Sequence, residues 1–487
     1  MSLFATKPMS RIMAESESDN SLRRSLGPLS LISLGVGGII GAGIFTLTGV
    51  AAAQNAGPGL VISFVLAAIG CVFAGLCYSE FSTMIPIAGS AYTYAYATMG
   101  EMIAWIIGWD LILEYSVGAA TVSIGWSQTL VAFLHNLGID LPAKLLASPF
   151  QASTLPDGST VYGIINLPAV IIVVLISLLL VTGIRESAGV NNIIVVLKVS
   201  VILVFIAIGW SYVHPANLTP MIPANTGVFG EFGYSGLLAG AGVIFFAYIG
   251  FDAVSTAAQE AKVPKRDMPI GIIGSLLVCT VLFILYTHVL TGMVDYHKLN
   301  VAAPLSLALE QIPYRWLTIG MNVAVLAGLT SVMLVMLLGQ SRVLFSMAND
   351  RLLPKAFRDV HPKFRTPWKC NLMLMVFVSL FAAFVPINIV GKMTSIGTLF
   401  AFVIVCVGII IMRKTHPDTP RPFKTPLVPL FPILGILVNL AMMYGLGPGN
   451  WLRLFIWMAI GLIIYFGYSR SRSLVNVSSS SGEPRGS

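Results

Sequence analysis

Charged side chains are too scarce in this chain for it to fold in water. Asp, Glu, Lys and Arg make up 10% of its 487 residues, and 56% are hydrophobic; a soluble protein carries about a quarter charged. That excludes a soluble enzyme. Long alternating polar–apolar strands are lacking too, which excludes a membrane barrel and leaves helices to satisfy the backbone in lipid. Cysteine is sparse and odd in number. Cys71, Cys77, Cys279, Cys370 and Cys406 sit mostly in apolar runs, so neither a disulfide framework nor a metal site is expected. None of the six histidines stands in a Cys, His or acidic cluster at metal spacing. His288, the one well inside an apolar run, is expected to be packed or solvated. No short apolar region with a cleavage site precedes the first long apolar run, so no cleaved signal peptide is expected.

What is present is a series of about a dozen apolar runs, each near the 20 or so residues needed to cross a bilayer. Helices are expected near 31–53, 59–84, 100–134, 165–184, 191–213, 233–258, 270–294, 316–348, 370–386, 390–412, 428–447 and 451–469. The expected fold is all-α and integral to the membrane. The organisation read from this is a polar tail over 1–30, five helices over 31–213, five over 233–412, two over 428–469 and a disordered tail over 470–487. The tail is serine-rich from Ser478.

Basic residues set the expected orientation. With the N-terminus inside, cytoplasmic segments hold 22 of the 28 Lys and Arg. Among them are Lys7, Arg11, Arg23, Arg24, Arg185, the run from Arg342 to Lys369, Arg413, Arg421 and Arg485. The outer loops hold Lys144, Lys298, Arg315, Lys392 and Arg453. Such a bias predicts a multi-pass protein with both termini cytoplasmic. It also accounts for the net charge of +8 without nucleic acid. Lys198 belongs to neither group, because it falls in the middle of the fifth span.

Each half opens on a glycine-rich span. The first contains Gly35-Val36-Gly37-Gly38-Ile39-Ile40-Gly41-Ala42-Gly43, and the second runs from Gly240 through Phe246, Ala247 and Ile249 to Gly250 and Asp252. Five helices per half invert the second half relative to the first, and matched glycine-interrupted spans point to a transporter's midplane site. A helix unwound at Gly41-Ala42-Gly43 offers free N–H groups at the start of its second half, suited to a carboxylate. The end of its first half and the break near Phe246–Ile249 offer carbonyls, suited to an ammonium. Helix packing by small residues is the competing explanation. A dinucleotide fingerprint is excluded, since no strand precedes Gly35.

These residues resemble a known family. The stretch Gly35–Gly49, Pro86-x-x-Gly89-x-x-Tyr92-x-Tyr94, Gly100-Glu101, Glu260-x-x-x-Pro264-x-Arg266-x-x-Pro269, Ser341-Arg342 and Arg421-Pro422-Phe423-Lys424-x-Pro426 are similar to the amino acid–polyamine–organocation superfamily, in its bacterial cationic amino acid transporter branch. The resemblance implies twelve helices, a five-plus-five inverted repeat with helices 1 and 6 broken (a LeuT-like fold), and alternating access in a bacterial cytoplasmic membrane. It implies that the Ala42 and Gly43 N–H groups hold an amino acid's carboxylate. Carbonyls of Ile39, Phe246, Ala247 and Ile249 would hold its ammonium. It also implies that Lys198 stands in for the cation of sodium-coupled relatives, and hence proton coupling or sodium independence. A fixed, charged lysine bonded to broken-helix carbonyls is the alternative. Met336 is similar to a family position that bounds the side-chain pocket, where a methionine would favour small neutral substrates over arginine. One departure is Arg351, where the family reads Asp-Gly.

Asp110 and Glu114 share a helix face, and Asp252 follows the second break. They suit a basic substrate's side chain, or they pair internally with groups such as Tyr115 and Tyr248. Asp110 is expected nearer the rim. Glu80 and Glu101 are expected to face cytoplasm, and Tyr92, Tyr94 and Tyr96 to form an interfacial belt. The expected ligands are thus an amino acid, neutral or cationic, and protons, with no cofactor. Exchange without proton coupling, a channel or a sensor on the same fold, and a small accessory membrane subunit are left open.

Overall fold

The structure is a computed structural model that describes residues 5–7, 26–85, 90–150, 152–154, 160–183, 188–258, 261–301 and 303–474. Arg11, Arg23, Arg24, Arg185, Arg485, the motif residues Pro86, Gly89 and Glu260, and the tail from Ser478 lie outside the described residues.

Helices dominate, and many begin with proline in their first turn, where the missing N–H has no partner to lose. The main ones are α1 (Pro28–Ile39), α2 (Leu60–Met84), α3 (Ser90–Thr98), α4 (Glu101–Ile112) and α5 (Gly118–Asn136). They are followed by α6 (Leu167–Val181), α7 (Ala188–Gly209), α8 (Gly233–Ile244), α9 (Pro264–Met293) and α10 (Arg315–Asn349). The chain closes with α11 (Trp368–Phe384), α12 (Ile387–Thr415), α13 (Leu430–Gly445) and α14 (Pro448–Ile464). Seven helical stretches are long and apolar enough to cross a membrane, and five shorter apolar helices accompany them. This is a multi-pass membrane protein. The expectation of helices alone needs one correction. A two-stranded antiparallel hairpin, β1 (Ala152–Thr154) with β2 (Thr160–Tyr162), sits in the loop before α6.

The helices pack in a mirrored pattern. α1 lies on α9, and α8 lies on α2; α7 lies on α10, and α12 lies on α4 and α5. α6 and α11 each reach across to α10 and α5. α1 also touches α7 and α10, and α8 touches α12 and α13. Helices α4 and α14 are joined by indoles, with Trp109 Nε1 donating to the Trp457 carbonyl at 2.8 Å and Trp105 Nε1 to the Gly461 carbonyl at 2.9 Å. All five cysteines are buried and unpaired.

Three expectations at one end of the bundle are overturned. Tyr92, Tyr94 and Tyr96 are buried rather than interfacial, each 1% exposed. Tyr92 Oη donates to Asp350 Oδ2 at 2.7 Å, Tyr94 stacks on Phe81, and Tyr96 Oη donates to Glu101. Glu80 and Glu101 are buried too. Arg413 grips Glu80 in bidentate fashion at 2.8 and 2.9 Å, and the Thr425 N–H donates to it. Glu101 accepts from Tyr96 and Tyr465. Burying a carboxylate is costly unless it is hydrogen-bonded or paired; Arg413 of α12 and Thr425 serve Glu80, and Tyr96 of α3 and Tyr465, just past α14, serve Glu101. Asp110, expected near the rim, is likewise fully buried. Lys7 completes this end, its Nζ 2.8 Å from Asp350 Oδ1.

Candidate functional site

Helix α1 stops at Ile39 because Ile40 turns extended (φ −72, ψ 103). Helical turns resume at Gly43 as a widened π-type turn. Between them the N–H groups of Gly41, Ala42 and Gly43 donate to no backbone carbonyl, and the Ile39 carbonyl accepts from no backbone donor, among the described residues. The second break follows α8. A tight turn over Phe245–Tyr248 ends at Ile249 (φ −59, ψ 133), and Gly250 takes φ 116, a conformation few residues but glycine adopt. Of the carbonyls named from the sequence here, Phe246 already accepts from the Ile249 N–H at 3.2 Å, and those of Ala247 and Ile249 accept from no backbone donor among the described residues.

The two breaks touch backbone to backbone. A Cβ on Gly43 would lie 2.2 Å from the Ala247 Cα, and one on Gly250 would lie 2.7 Å from the Gly38 carbonyl. Small residues therefore let the helices approach closely, yet they pack where helical hydrogen bonds are given up. Both explanations of the glycines hold at once.

Lys198 is buried, at 1% exposed, and its Nζ donates to the Gly37 carbonyl at 2.8 Å. Its methylenes fill the space facing Gly328 of α10, where an added Cβ would meet Lys198 Cε at 3.0 Å. The lysine of α7 thus joins the last turn of α1 to α10. On the other side of α1, a Cβ on Gly125 of α5 would meet that of Ala42 at 3.4 Å, so α5 walls the first break. Met336 is buried on α10, its Sδ 3.3 Å from where a Gly118 Cβ would stand.

Of the three acidic residues singled out, Asp252 accepts from Tyr115 Oη at 2.7 Å, an internal pairing. Tyr248 donates elsewhere, to the Phe64 carbonyl at 3.1 Å. Glu114 is 1% exposed with Asp252 and Thr398 against it, and among the described residues neither of its carboxylate oxygens meets a donor at hydrogen-bonding geometry. Asp110 is in the same condition, next to Gly397 of α12. Sequence reasoning offered broken-helix carbonyls as one role for Lys198 but missed Gly37 as the residue that supplies the carbonyl. It also missed Thr48, whose Oγ1 donates to the Gly43 carbonyl at 3.1 Å and steadies the turn after the break. Neither carries a signal in sequence, since a carbonyl belongs to every residue and threonine is common in such spans.

Unspent donors beside unspent acceptors, in a low-dielectric interior, suit a small zwitterion. Comparison with known proteins agrees with that chemistry. The amino acid permease family matches residues 26–469.

The chain belongs to the amino acid permease family.

This permease is similar to the branched-chain amino acid permease BcaP of Bacillus subtilis, with 45% identity over 476 residues, 98% of this chain and 99% of that protein. It is similar to the methylthioribose transporter of the same species, with 42% identity over 475 residues, again 98% and 99% of the two chains. The vacuolar cationic amino acid transporter 4 of Arabidopsis thaliana is 29% identical, with 95% of this chain and 94% of that one covered. Amino acid transport across a membrane is the activity of the family.

Proposed function

We propose that this permease is a secondary active transporter that moves neutral L-amino acids by alternating access, driven by protons and independent of sodium. The backbone contact between the two breaks carries this reading, through Gly43 against Ala247 and Gly250 against Gly38. Ala42 and Gly43 N–H groups receive the carboxylate, with Gly41 beside them. Carbonyls of Ile39, Ala247 and Ile249 receive the ammonium, with Phe246 contributing its second lone pair. Ile40 provides the extended link that opens the site.

The mirrored packing of α1 on α9 and α8 on α2 supports a twelve-helix, five-plus-five inverted repeat. Its halves span 31–213 and 233–412, with two further helices over 428–469. The charge bias supports cytoplasmic termini. Lys198 supports proton coupling: a charged lysine in mid-bilayer costs about 3 kcal/mol even on lenient scales, and the Gly37 carbonyl recovers part of that only while the amine is protonated. Met336 over Gly118 narrows the side-chain pocket, and Tyr115 occupies Asp252, so aliphatic substrates are favoured over arginine.

Uptake of labelled L-leucine into proteoliposomes tests the proposal. Saturable uptake, accelerated by an inward proton gradient and indifferent to sodium, is expected. Methylthioribose transport without leucine transport would overturn the substrate class, and uptake indifferent to the gradient would leave an exchanger.

A further inference from the structure

A second cavity, of about 550 Å³, opens at the far end of the bundle from Asp350. That volume lies within the roughly 300–1,000 Å³ of small-molecule sites. Its walls come from the end of the first broken helix (Gln54, Asn55), the segment before α8 (Phe229, Glu231), α8 itself (Val243) and the start of α12 (Lys392). The two charged residues that line it have opposite signs. No ion pair involves either among the described residues. The exposed Glu231 carboxylate accepts from the Thr226 hydroxyl at 2.7 Å. Lys392 is partly buried, and the charge that acts on it, Arg453, is also positive. Phe229 and Val243 give the cavity an apolar side, with Phe229 braced against Tyr444 at 5.3 Å between ring centroids, and Gln54 and Asn55 give it a polar one.

An exposed carboxylate and a partly buried ammonium that line one cavity beside an aromatic ring are complementary to a zwitterion with an aliphatic side chain. We propose that this cavity is a second amino-acid site, with the ligand ammonium at Glu231, its carboxylate at Lys392 and its side chain on Phe229. The inference rests on the amino acid transport reading. It adds a site that touches both broken helices beyond their breaks. Asn55 ties them there, its Nδ2 donating to the Gly230 carbonyl at 2.8 Å and its own carbonyl accepting from Phe232 at 2.7 Å. Occupancy therefore bears on the segments that must move when the central site opens toward this face.

Equilibrium binding of labelled L-leucine to the purified full-length permease tests it. Two molecules per chain are expected, and Glu231→Gln and Lys392→Gln should each weaken one of them about tenfold or more, the effect of losing one charge-assisted hydrogen bond. The other should be unchanged. One molecule per chain, or two that neither variant affects, would overturn this site and leave the transport reading intact. No bound leucine, together with no uptake, would overturn both. As a second readout, Phe229→Cys gives one reactive thiol, since the native cysteines are buried. Leucine should slow its maleimide labelling, and adding Glu231→Gln should abolish the protection; protection that survives Glu231→Gln would contradict the assignment.

Discussion

Lys198 Nζ donates to the Gly37 carbonyl at 2.8 Å, in the last turn of α1 before its backbone opens. A side chain on α7 thereby holds the end of the half-helix whose Ile39 carbonyl faces the break. Protonated, Lys198 pins α1; neutral, it loses the charge that strengthens this bond. The proposed proton coupling has this contact as its physical basis, because the proposed substrate site uses the same few residues of backbone.

Lys198→Ala should abolish accumulation driven by a proton gradient. Exchange of labelled for unlabelled leucine across the same liposomes should persist, because the central donors and acceptors are backbone groups. Gradient-driven accumulation at wild-type level would show that the lysine is only a strut.

Gly43→Ala places a methyl 2.2 Å from the Ala247 Cα, so the breaks must separate. Uptake should fall at least about a hundredfold, since misplacing binding groups by an ångström has effects of that order. Gly320→Ala is the control, with nothing within 4 Å of the new methyl, and should transport normally. Equal activity in the two variants would contradict the close approach.

Met336→Ser should widen the space over Gly118 and admit larger side chains. In competition assays lysine and arginine should then inhibit leucine uptake better than they inhibit the wild type. An unaltered profile across alanine, lysine and arginine would remove Met336 from the pocket.

Glu80→Gln breaks a buried ion pair with Arg413 and should destabilise the protein by roughly 3 kcal/mol, seen as a lower melting temperature in detergent. Arg351→Gly should act in the opposite direction. Arg351 sits at φ 61, and relieving a left-handed non-glycine residue is worth about 1 kcal/mol. A melting temperature unchanged in either variant would contradict the corresponding contact or conformation.

Most of the helices were legible, because a run of apolar residues long enough to span lipid has few other ways to satisfy its backbone. The breaks at Gly41–Gly43 and Phe246–Ile249 were legible as well, from glycine in matched positions. Burial of polar residues was not. Tyr92, Tyr94 and Tyr96 read as an interfacial belt, and it takes Asp350 from 258 positions away, Phe81 of α2 and Glu101 at the start of α4 to draw them inside. Glu80 reads as a solvated residue until Arg413, 333 positions away, closes on it. The pairing of Tyr115 with Asp252 was open to sequence reasoning as one of two outcomes, and tertiary packing chose it. The central geometry depends on where two helices cross, and pattern along one helix does not encode that.

The central claim is that backbone groups of the two broken helices recognise the carboxylate and the ammonium together. Competition by leucine analogues lacking one of them tests it most directly. In proteoliposomes, 4-methylpentanoate and 3-methylbutylamine should each inhibit labelled leucine uptake about a hundredfold more weakly than leucine itself, the loss expected from deleting charge-assisted hydrogen bonds. Inhibition by either analogue as strong as that by leucine would contradict the account.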